Sequence, residues 1–243
     1  MFNFSIEVSD KIAKSFEDKL IFSSSLGINN IEVQDNFDSV PLYEMCGEQI
    51  EKIRDLLIDH NKRIVLLTTS LKPNEHTKLN LLFRRALVLN VKGIKLIPEK
   101  SDNLEYVSKL SKSYGIPLLF ENKAKSFLSD EKTMCELVRS VPTSSLIFNP
   151  FEFVCTQKHP FFHVYYASKI KNNISFLRIN DGLFVENRPV MLHEGCAEVK
   201  ELASIMLSRS FDGYFSFTPY LPDMTSDNYK KSISIFKDEL KNM

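Results

Sequence analysis

The chain of 243 residues is predicted to be an α/β protein, a single-domain (β/α)8 TIM barrel that covers residues 1–243. Short apolar runs alternate with amphipathic helical stretches, which is the pattern of a parallel sheet with helical crossovers. Eight such strand–helix units, of about thirty residues each, fill the chain without a linker. A doubly wound open sheet is the alternative. It is less favoured because no G-x-G-x-x-G follows the first strand and no P-loop is present.

The strands are predicted from short runs rich in Ile, Val, Leu and Phe. The best defined of them lies in IPLLFENK, where an apolar run ends abruptly in Glu121. The predicted strands are Phe4–Val8, Ile31–Val33, Arg63–Thr68, Ile94–Ile97, Ile116–Phe120, Ser145–Phe148, Ile174–Ile179 and Gly213–Phe217.

The helices are predicted from apolar residues at helical spacing between these strands. Asp10 and Asp130 are expected N-caps, and Gly27 and Gly115 are expected just past helix C-termini. Leu87 is expected on the buried face of its helix. The predicted helices are Lys11–Leu26, Gln49–Asp59, Asn74–Asn90, Asn103–Ser113, Glu131–Val141, Phe161–Ile170, Cys196–Ser208 and Asp227–Lys241.

The composition restricts the classes of partner. Lys and Arg number 31 together, as do Asp and Glu, so the formal net charge is zero. Nucleic-acid and membrane-surface binding both need an excess of positive charge, so neither partner is expected. The N-terminus lacks the basic start and apolar core of a signal peptide, and no apolar run is long enough for a membrane helix. A cytoplasmic protein is predicted, and a homo-oligomer is left open.

Several catalytic motifs are absent from the sequence. No two of the four cysteines form a C-x-x-C pair, so a zinc ribbon or thioredoxin-type site is not predicted. His159 and His163 are four residues apart, but no acidic ligand follows them at helical spacing. A hydrolase triad is not predicted either, because no G-x-S-x-G motif is present.

Polar side chains follow nearly every predicted strand. The active site of a (β/α)8 barrel lies at the C-terminal ends of its strands, so these side chains are expected to meet at one mouth. The catalytic candidates are Glu121 and Arg178. The ligand-binding candidates are Glu32, Lys95, Glu99, Asn149, Glu152, Asp181 and His193.

Three charges lie inside predicted strands, namely Glu32, Lys95 and Arg178. A charge in a buried strand must be paired or must bind something. Glu121 with Arg178 is one expected pair, and Lys95 with Glu32 or Glu99 is another. A structural network and ligand recognition are both compatible with this pattern. A Schiff-base role for Lys95, as in class I aldolases, is a further alternative.

Five parts of the chain resemble the xylose isomerase-like barrels, over roughly residues 2–222. They are GINNIEVQ (27–34), IPLLFENK (116–123), LIFNPFEF (146–153), FLRINDG (176–182), and HEGCAEV with FDGYFSFT (193–199 and 211–218). That family includes sugar-phosphate isomerases and epimerases, related inositol-catabolic enzymes and DNA-repair enzymes of the endonuclease IV type. The resemblance implies the barrel fold and a site at its C-terminal mouth.

The departures from that family concern its metal site. Its members usually hold a divalent ion with a Glu, an Asp, a His and a second Glu. Only Glu121 matches, while Asn149, Arg178 and Thr218 stand at the other three positions. An amide is a poorer ligand than a carboxylate, and a guanidinium cannot ligate a metal. We therefore expect no metal and no cofactor, with Arg178 supplying the positive charge beside Glu121.

The resemblance implies a sugar (phosphate) isomerase or epimerase, or a metal-less derivative that binds a small, polar, carbohydrate-derived ligand. Metal-free proton transfer would use Glu121 or Glu99 as base and Arg178 or Lys95 to polarise a carbonyl. Whether the chain is an enzyme is left open. The alternative is a non-catalytic barrel that acts as a binding or assembly subunit. A DNA-repair nuclease is disfavoured because the residues of its metal cluster are missing.

Overall fold

Eight parallel strands form a closed barrel surrounded by helices in the computed structural model, which describes residues 2–242. Each barrel strand lies beside its neighbours in sequence, and the first lies beside the last. The strands are β1 Asn3–Glu7, β2 Asn30–Gln34, β3 Arg63–Thr68, β4 Ile94–Lys95, β5 Leu118–Glu121, β6 Ser144–Phe148, β7 Ile174–Arg178 and β8 Tyr214–Phe217. The predicted fold class is confirmed.

Eight α-helices accompany the barrel strands within the described residues. They are α1 Phe16–Ser25, α2 Gly47–Asp59, α3 His76–Val88, α4 Glu105–Tyr114, α5 Glu131–Ser140, α6 Pro150–Val154, α7 Val199–Ser208 and α8 Ser226–Lys241. Shorter helical segments are the 3-10 turns Leu42–Glu44, Phe127–Ser129 and Ile170–Asn173 and the π-helix Pro160–Tyr166.

The helix caps confirm three predictions and correct one. Gly27 and Gly115 adopt φ +66° just past their helices, a conformation that glycine accepts without strain. The Asp130 carboxylate accepts a hydrogen bond from the backbone N–H of Thr133 at 3.0 Å. Asp10 does not cap α1. The helix starts later because the Ser15 side chain accepts from the N–H of its third residue.

Three further predictions differ from the structure: one helix, two short hairpins and the exposure of one side chain. The predicted helix Phe161–Ile170 is a π-helix that ends at Tyr166, and α6 precedes it. Two antiparallel hairpins, of strands with two or three residues, are unpredicted additions: Asn36–Phe37 with Val40–Pro41, and Asp181–Leu183 with Arg188–Val190. Leu87 is 52% exposed, whereas its neighbour Ala86 is buried.

The chain divides into two compact units. Among the described residues, unit 1 comprises 2–4, 121–137 and 146–242, and unit 2 comprises 5–120 and 138–145. The core of unit 1 is rich in aromatic rings, such as Phe215 and Phe236, whose centroids are 5.1 Å apart. The core of unit 2 is mostly Ile, Leu and Val, with Phe16, Phe37, Phe83 and Phe120 among them. Each fully buried Val, Leu, Ile or Phe side chain contributes about 1.5–3 kcal/mol to the free energy of unfolding, because it is removed from water.

None of the helices within residues 2–242 has both the length and the apolar composition needed to cross a membrane.

Candidate functional site

Four polar residues of unit 1 stand at the carboxyl ends of barrel strands. Glu121 is the last residue of β5 and Arg178 is the last residue of β7, while Asn149 and Thr218 directly follow β6 and β8. Strand β7 is parallel to both β6 and β8. The four residues therefore lie at the end of the barrel strands where this architecture normally places its ligand.

Arg178 and Glu121 form a buried ion pair, as predicted. Arg178 Nε donates to Glu121 Oε1 at 3.1 Å, and Nη2 donates to Oε2 at 3.2 Å. Nη1 of the same guanidinium donates to the hydroxyl of Ser216. Arg178 is only 1% exposed, whereas the Glu121 side chain is 18% exposed. This two-pronged geometry holds a charge that would otherwise be costly to bury.

A chain of amide and hydroxyl groups continues from the ion pair. Asn149 Nδ2 donates to Glu121 Oε1 at 3.0 Å, and Asn180 Nδ2 donates to Asn149 Oδ1 at 3.4 Å. Thr218 Oγ1 then donates to Asn180 Oδ1 at 2.9 Å. We call this group the Arg178 network. Its members are Glu121, Asn122, Asn149, Arg178, Asn180, Ser216 and Thr218.

Asn122 fixes the backbone on which Asn149 stands. Its Oδ1 accepts from the Asn149 N–H at 2.7 Å, and its Nδ2 donates to the Asn149 carbonyl at 2.8 Å. Both residues are buried. The reciprocal pair satisfies the backbone N–H and C=O of Asn149, between the end of β6 and the start of α6, which would otherwise be buried without partners. The Asn149 side chain is thereby held toward Glu121.

The Arg178 network does not fit a divalent metal ion. Both oxygens of Glu121 accept from the guanidinium, and Asn149 presents N–H rather than oxygen to the same carboxylate. The Thr218 hydroxyl is engaged as a donor to Asn180. Across residues 2–242, no group of three or more His, Cys, Asp or Glu side chains is placed to hold an ion. The donor set needed by a metal is replaced by hydrogen bonds among the residues themselves.

Glu152, on α6, is a half-buried carboxyl near the Arg178 network. Its Oε2 accepts from the N–H of Ala124 at 2.9 Å. Burial raises the pKa of Glu152 above the ordinary 4.5, and the charge of Glu121 raises it further, against the hydrogen bond from Ala124. This carboxyl can therefore exchange a proton closer to neutrality than an exposed glutamate.

Asp181, a predicted ligand-binding residue, binds backbone. Oδ1 accepts from the N–H groups of Gly182 and Ala197 at 2.8 and 3.0 Å. Oδ2 accepts from those of His193 and Gly195, both at 3.0 Å. A side chain at Gly195 would collide with the Asp181 carboxylate. Asp181 therefore anchors the loop 193–197, a role that the sequence did not indicate.

His193 is placed against α8. Its Nε2 lies 3.1 Å from Oε1 of Glu239, and its side chain is 41% exposed. Burial raises the pKa of Glu239, while the positive charge of His193 opposes that rise. The predicted reach of His193 to the mouth is not seen among its contacts, because the loop directs the imidazole to Glu239.

The three remaining candidates lie in unit 2. Glu32 is 1% exposed and accepts from the Ser5 hydroxyl at 2.7 Å. Lys95 is half-buried at the end of β4. Glu99 pairs with Lys72 rather than with Lys95, and its side chain is 65% exposed. That correction has a simple cause: β4 ends at Lys95, so Glu99 lies four residues out in an exposed loop.

Four members of the Arg178 network were not among the catalytic and ligand-binding candidates: Asn122, Asn180, Ser216 and Thr218. A signal for three of them was present in the sequence. Arg178 and Asn180 are two residues apart, as are Ser216 and Thr218, and residues two apart on a strand point to the same face. Polar pairs at this spacing in otherwise apolar strands indicate a shared polar interior.

The sequence matches no protein-family model. No curated protein matches it either.

Solved structures resemble the chain in fold. A xylose isomerase-like TIM barrel protein from Mycobacterium smegmatis, in complex with magnesium, is 13% identical, with a TM-score of 0.76 over 100% of this chain and 97% of that one. A D-tagatose 3-epimerase-like protein is 15% identical, with a TM-score of 0.75 over 99% and 97%. An AP endonuclease of family 2 from Brucella melitensis is 13% identical, with a TM-score of 0.68 over 98% and 99%. The chain therefore has the fold of the xylose isomerase-like barrels.

Proposed function

We propose that the chain is a metal-free, xylose isomerase-like barrel that binds a small, polar, carbohydrate-derived ligand at the carboxyl ends of its strands. The observation that carries this proposal is the Arg178–Glu121 pair. The guanidinium supplies inside the protein the positive charge that a metal would otherwise supply, and it leaves only the carboxylate partly exposed.

The charge pattern of the site favours a ligand with hydroxyl groups. Glu121 is partly exposed and Glu152 is half-buried near it, so both carboxyls can accept hydrogen bonds from hydroxyls. The negative charge of Glu121 already acts on Glu152 and raises its pKa. A phosphate placed against these two groups would be repelled. A free sugar or polyol is therefore favoured over a phosphorylated one at this site.

The chemistry that this site would support is proton transfer of the isomerase type. In our proposal Glu152 takes a proton from the hydroxyl-bearing carbon next to a carbonyl and returns it, on the same face, to the former carbonyl carbon, while the hydroxyl proton passes between the two oxygens. Its raised pKa suits both halves of that exchange. Asn149 and Arg178 would position Glu121 rather than react, because both donate to its carboxylate.

A second candidate function is a non-catalytic binding or assembly subunit. The observation that favours it is the mutual satisfaction of the amides and hydroxyls, in which Asn180 bridges Asn149 and Thr218. A network of this kind stabilises the strand ends without any ligand.

A thermal-shift screen separates the two functions. Free sugars, polyols and phosphorylated sugars are tested with and without magnesium, manganese or zinc. We expect at least one neutral sugar to raise the melting temperature in a saturable way, with no requirement for a divalent ion. The shift should be lost in Glu121→Gln and Glu152→Gln. It should persist in Glu186→Gln, which changes an exposed carboxylate. No shift with any sugar would favour the assembly function.

A further inference from the structure

A cavity lies within unit 1, at the end of β7 and β8 opposite the Arg178 network. Its volume is about 320 Å³, and it is lined by Tyr165, Lys171, Met206, Arg209, Ser210 and Phe211, among others. Lys171 lies just before β7, and Arg209 to Phe211 lie between α7 and β8. The cavity is therefore at the amino ends of β7 and β8. Arg178 and Thr218 mark the opposite, carboxyl ends.

Two cations line this cavity without a carboxylate partner. Neither Lys171 nor Arg209 forms an ion pair within 4.0 Å with any described Asp or Glu. Other lysines, such as Lys78, Lys109 and Lys241, do pair with a nearby carboxylate. Asp212 also lines the cavity and is the one acid in its wall. With two positive side chains and one negative one, the wall of the cavity carries a net charge of about +1. A cavity with this excess is electrostatically suited to an anion.

Tyr165 provides an unused hydrogen-bond donor in the same wall. The residue is 2% exposed, yet its hydroxyl bonds to no residue in the described part of the chain. Burial raises the pKa of this phenol, and the positive charge of Arg209 opposes that rise only in part. The group therefore stays protonated at neutral pH. The hydroxyl oxygen is not one of the fully buried polar atoms that lack a partner, so it is accessible from the cavity, where a ligand oxygen could accept a hydrogen bond from it.

We infer that this cavity binds the phosphate group of a small phosphorylated molecule. Arg209 and Lys171 would pair with the phosphate oxygens, and the hydroxyls of Tyr165 and Ser210 would donate to them. Met206 and Phe211 supply an apolar wall for the organic part of the ligand. A phosphate is favoured over a carboxylate because it has more oxygens to accept from several donors.

The position of the cavity gives this ligand a role apart from the chemistry at the strand ends. Reacting groups of (β/α)8 barrels lie at the carboxyl ends of the strands, whereas this cavity opens at the amino ends. The inference does not depend on the proposed function. A bound phosphate compound here would act as a stabilising or regulatory ligand through β7 and β8.

Titration calorimetry with inorganic phosphate, at constant ionic strength, tests this site in the full chain. We expect saturable binding at one site. Arg209→Gln should weaken it about tenfold or more, because a charge-assisted hydrogen bond is lost. Lys171→Gln and Tyr165→Phe should each weaken it severalfold. Lys169→Gln is the matched control, since it removes a nearby exposed charge outside the cavity, and it should bind as the unaltered chain does.

Three results would overturn the inference. Phosphate heats equal to those of chloride would show that no site exists. Equal binding by acetate would show that the cavity does not select phosphate. Unchanged affinity in Arg209→Gln would place the bound anion elsewhere. Thermal unfolding of each variant confirms that the fold is intact before the titration is read.

Discussion

The most buried charged residue of the Arg178 network, Arg178 itself, depends on its partners. A guanidinium that is 1% exposed is tolerable only while Glu121 and Ser216 accept from it. The same holds in reverse for Glu121, whose carboxylate accepts from both Arg178 and Asn149. The two charges therefore stabilise the protein as a pair, and each alone destabilises it.

Arg178→Met is expected to lower the free energy of unfolding by about 3–5 kcal/mol, because Glu121 is left as a largely buried charge without its cation. Urea denaturation measures this loss. The double variant Arg178→Met with Glu121→Leu removes both charges and should recover part of it.

The matched control for that experiment is Arg188→Met. Arg188 pairs with Glu186 at 2.7 Å, but both side chains are more than half exposed. Such surface pairs contribute less than about 1 kcal/mol. A loss in Arg178→Met no larger than that in Arg188→Met would contradict the account of the buried pair.

Glu152 should make stability depend on pH. Its pKa is raised in the folded state, so its contribution is present below the ordinary value of 4.5 and is lost as pH rises through the raised value. Glu152→Gln has no group to ionise, so its free energy of unfolding does not fall as the pH rises through that value. We expect the variant to melt at a higher temperature than the unaltered chain at pH 7, with the difference shrinking toward pH 4.

Asp130 offers a comparison of opposite sign. Burial acts to raise its pKa, but the hydrogen bonds from Thr133 and Lys132 outweigh this, and the net shift is downward from 3.8. Its contribution is therefore present above 3.8 and is lost on acidification. Asp130→Asn should be destabilising at pH 7. A Glu152→Gln variant that behaved the same way would refute the assignment of its raised pKa.

At the scale of elements, the loop 193–197 depends on one carboxylate. Asp181→Asn replaces one of the two acceptor oxygens by an NH2 group, which then faces backbone N–H donors, and it removes the negative charge. Amide exchange at residues 193, 195 and 197 should become about tenfold faster or more, because hydrogen bonds to a charged group are lost. Asp223→Asn, at an exposed position, is the control. Unchanged exchange in Asp181→Asn would show that the loop is held by other contacts.

The elements that the sequence predicted are those with strong periodicity. Arg63–Thr68 is a strand with the predicted bounds, because Ile64, Val65, Leu66 and Leu67 form a continuous apolar run and five of the six residues are buried. The hairpin Asp181–Leu183 with Arg188–Val190 was missed, since strands of three residues show no period. Asp181 was predicted to bind a ligand, because its backbone partners lie up to 16 residues away and are not evident in the sequence.

At the scale of the whole molecule, the barrel was predictable and only part of its site was. The ion pair of Glu121 and Arg178 followed from charges inside buried strands. The pairing of Glu99 with Lys72 did not. The apolar residues Ile94 to Ile97 predict a longer strand than β4, which ends at Lys95, and Ile97 is 56% exposed. The loop contacts of His193 depend on tertiary packing with α8.

The purified protein is expected to contain no stoichiometric zinc, manganese or cobalt. The reason is that both oxygens of Glu121 are already engaged by a guanidinium. Elemental analysis measures the metal content. A stoichiometric metal that disappears in Glu121→Ala would contradict this expectation, whereas a metal retained in that variant would lie outside the Arg178 network.

The hydrogen bonds of the Arg178 network also oppose the single substitutions that would give it the metal ligands that the resemblance implies. Restoring the usual ligands requires Asn149→Asp, Arg178→His and Thr218→Glu. Asn149→Asp alone would put a second carboxylate against Glu121, and Arg178→His alone would remove the guanidinium fork before any ion is held. Each single step costs stability and returns no metal affinity. Stepwise substitution along this route is therefore opposed at its first step, and a metal site could be introduced only by changing several residues together.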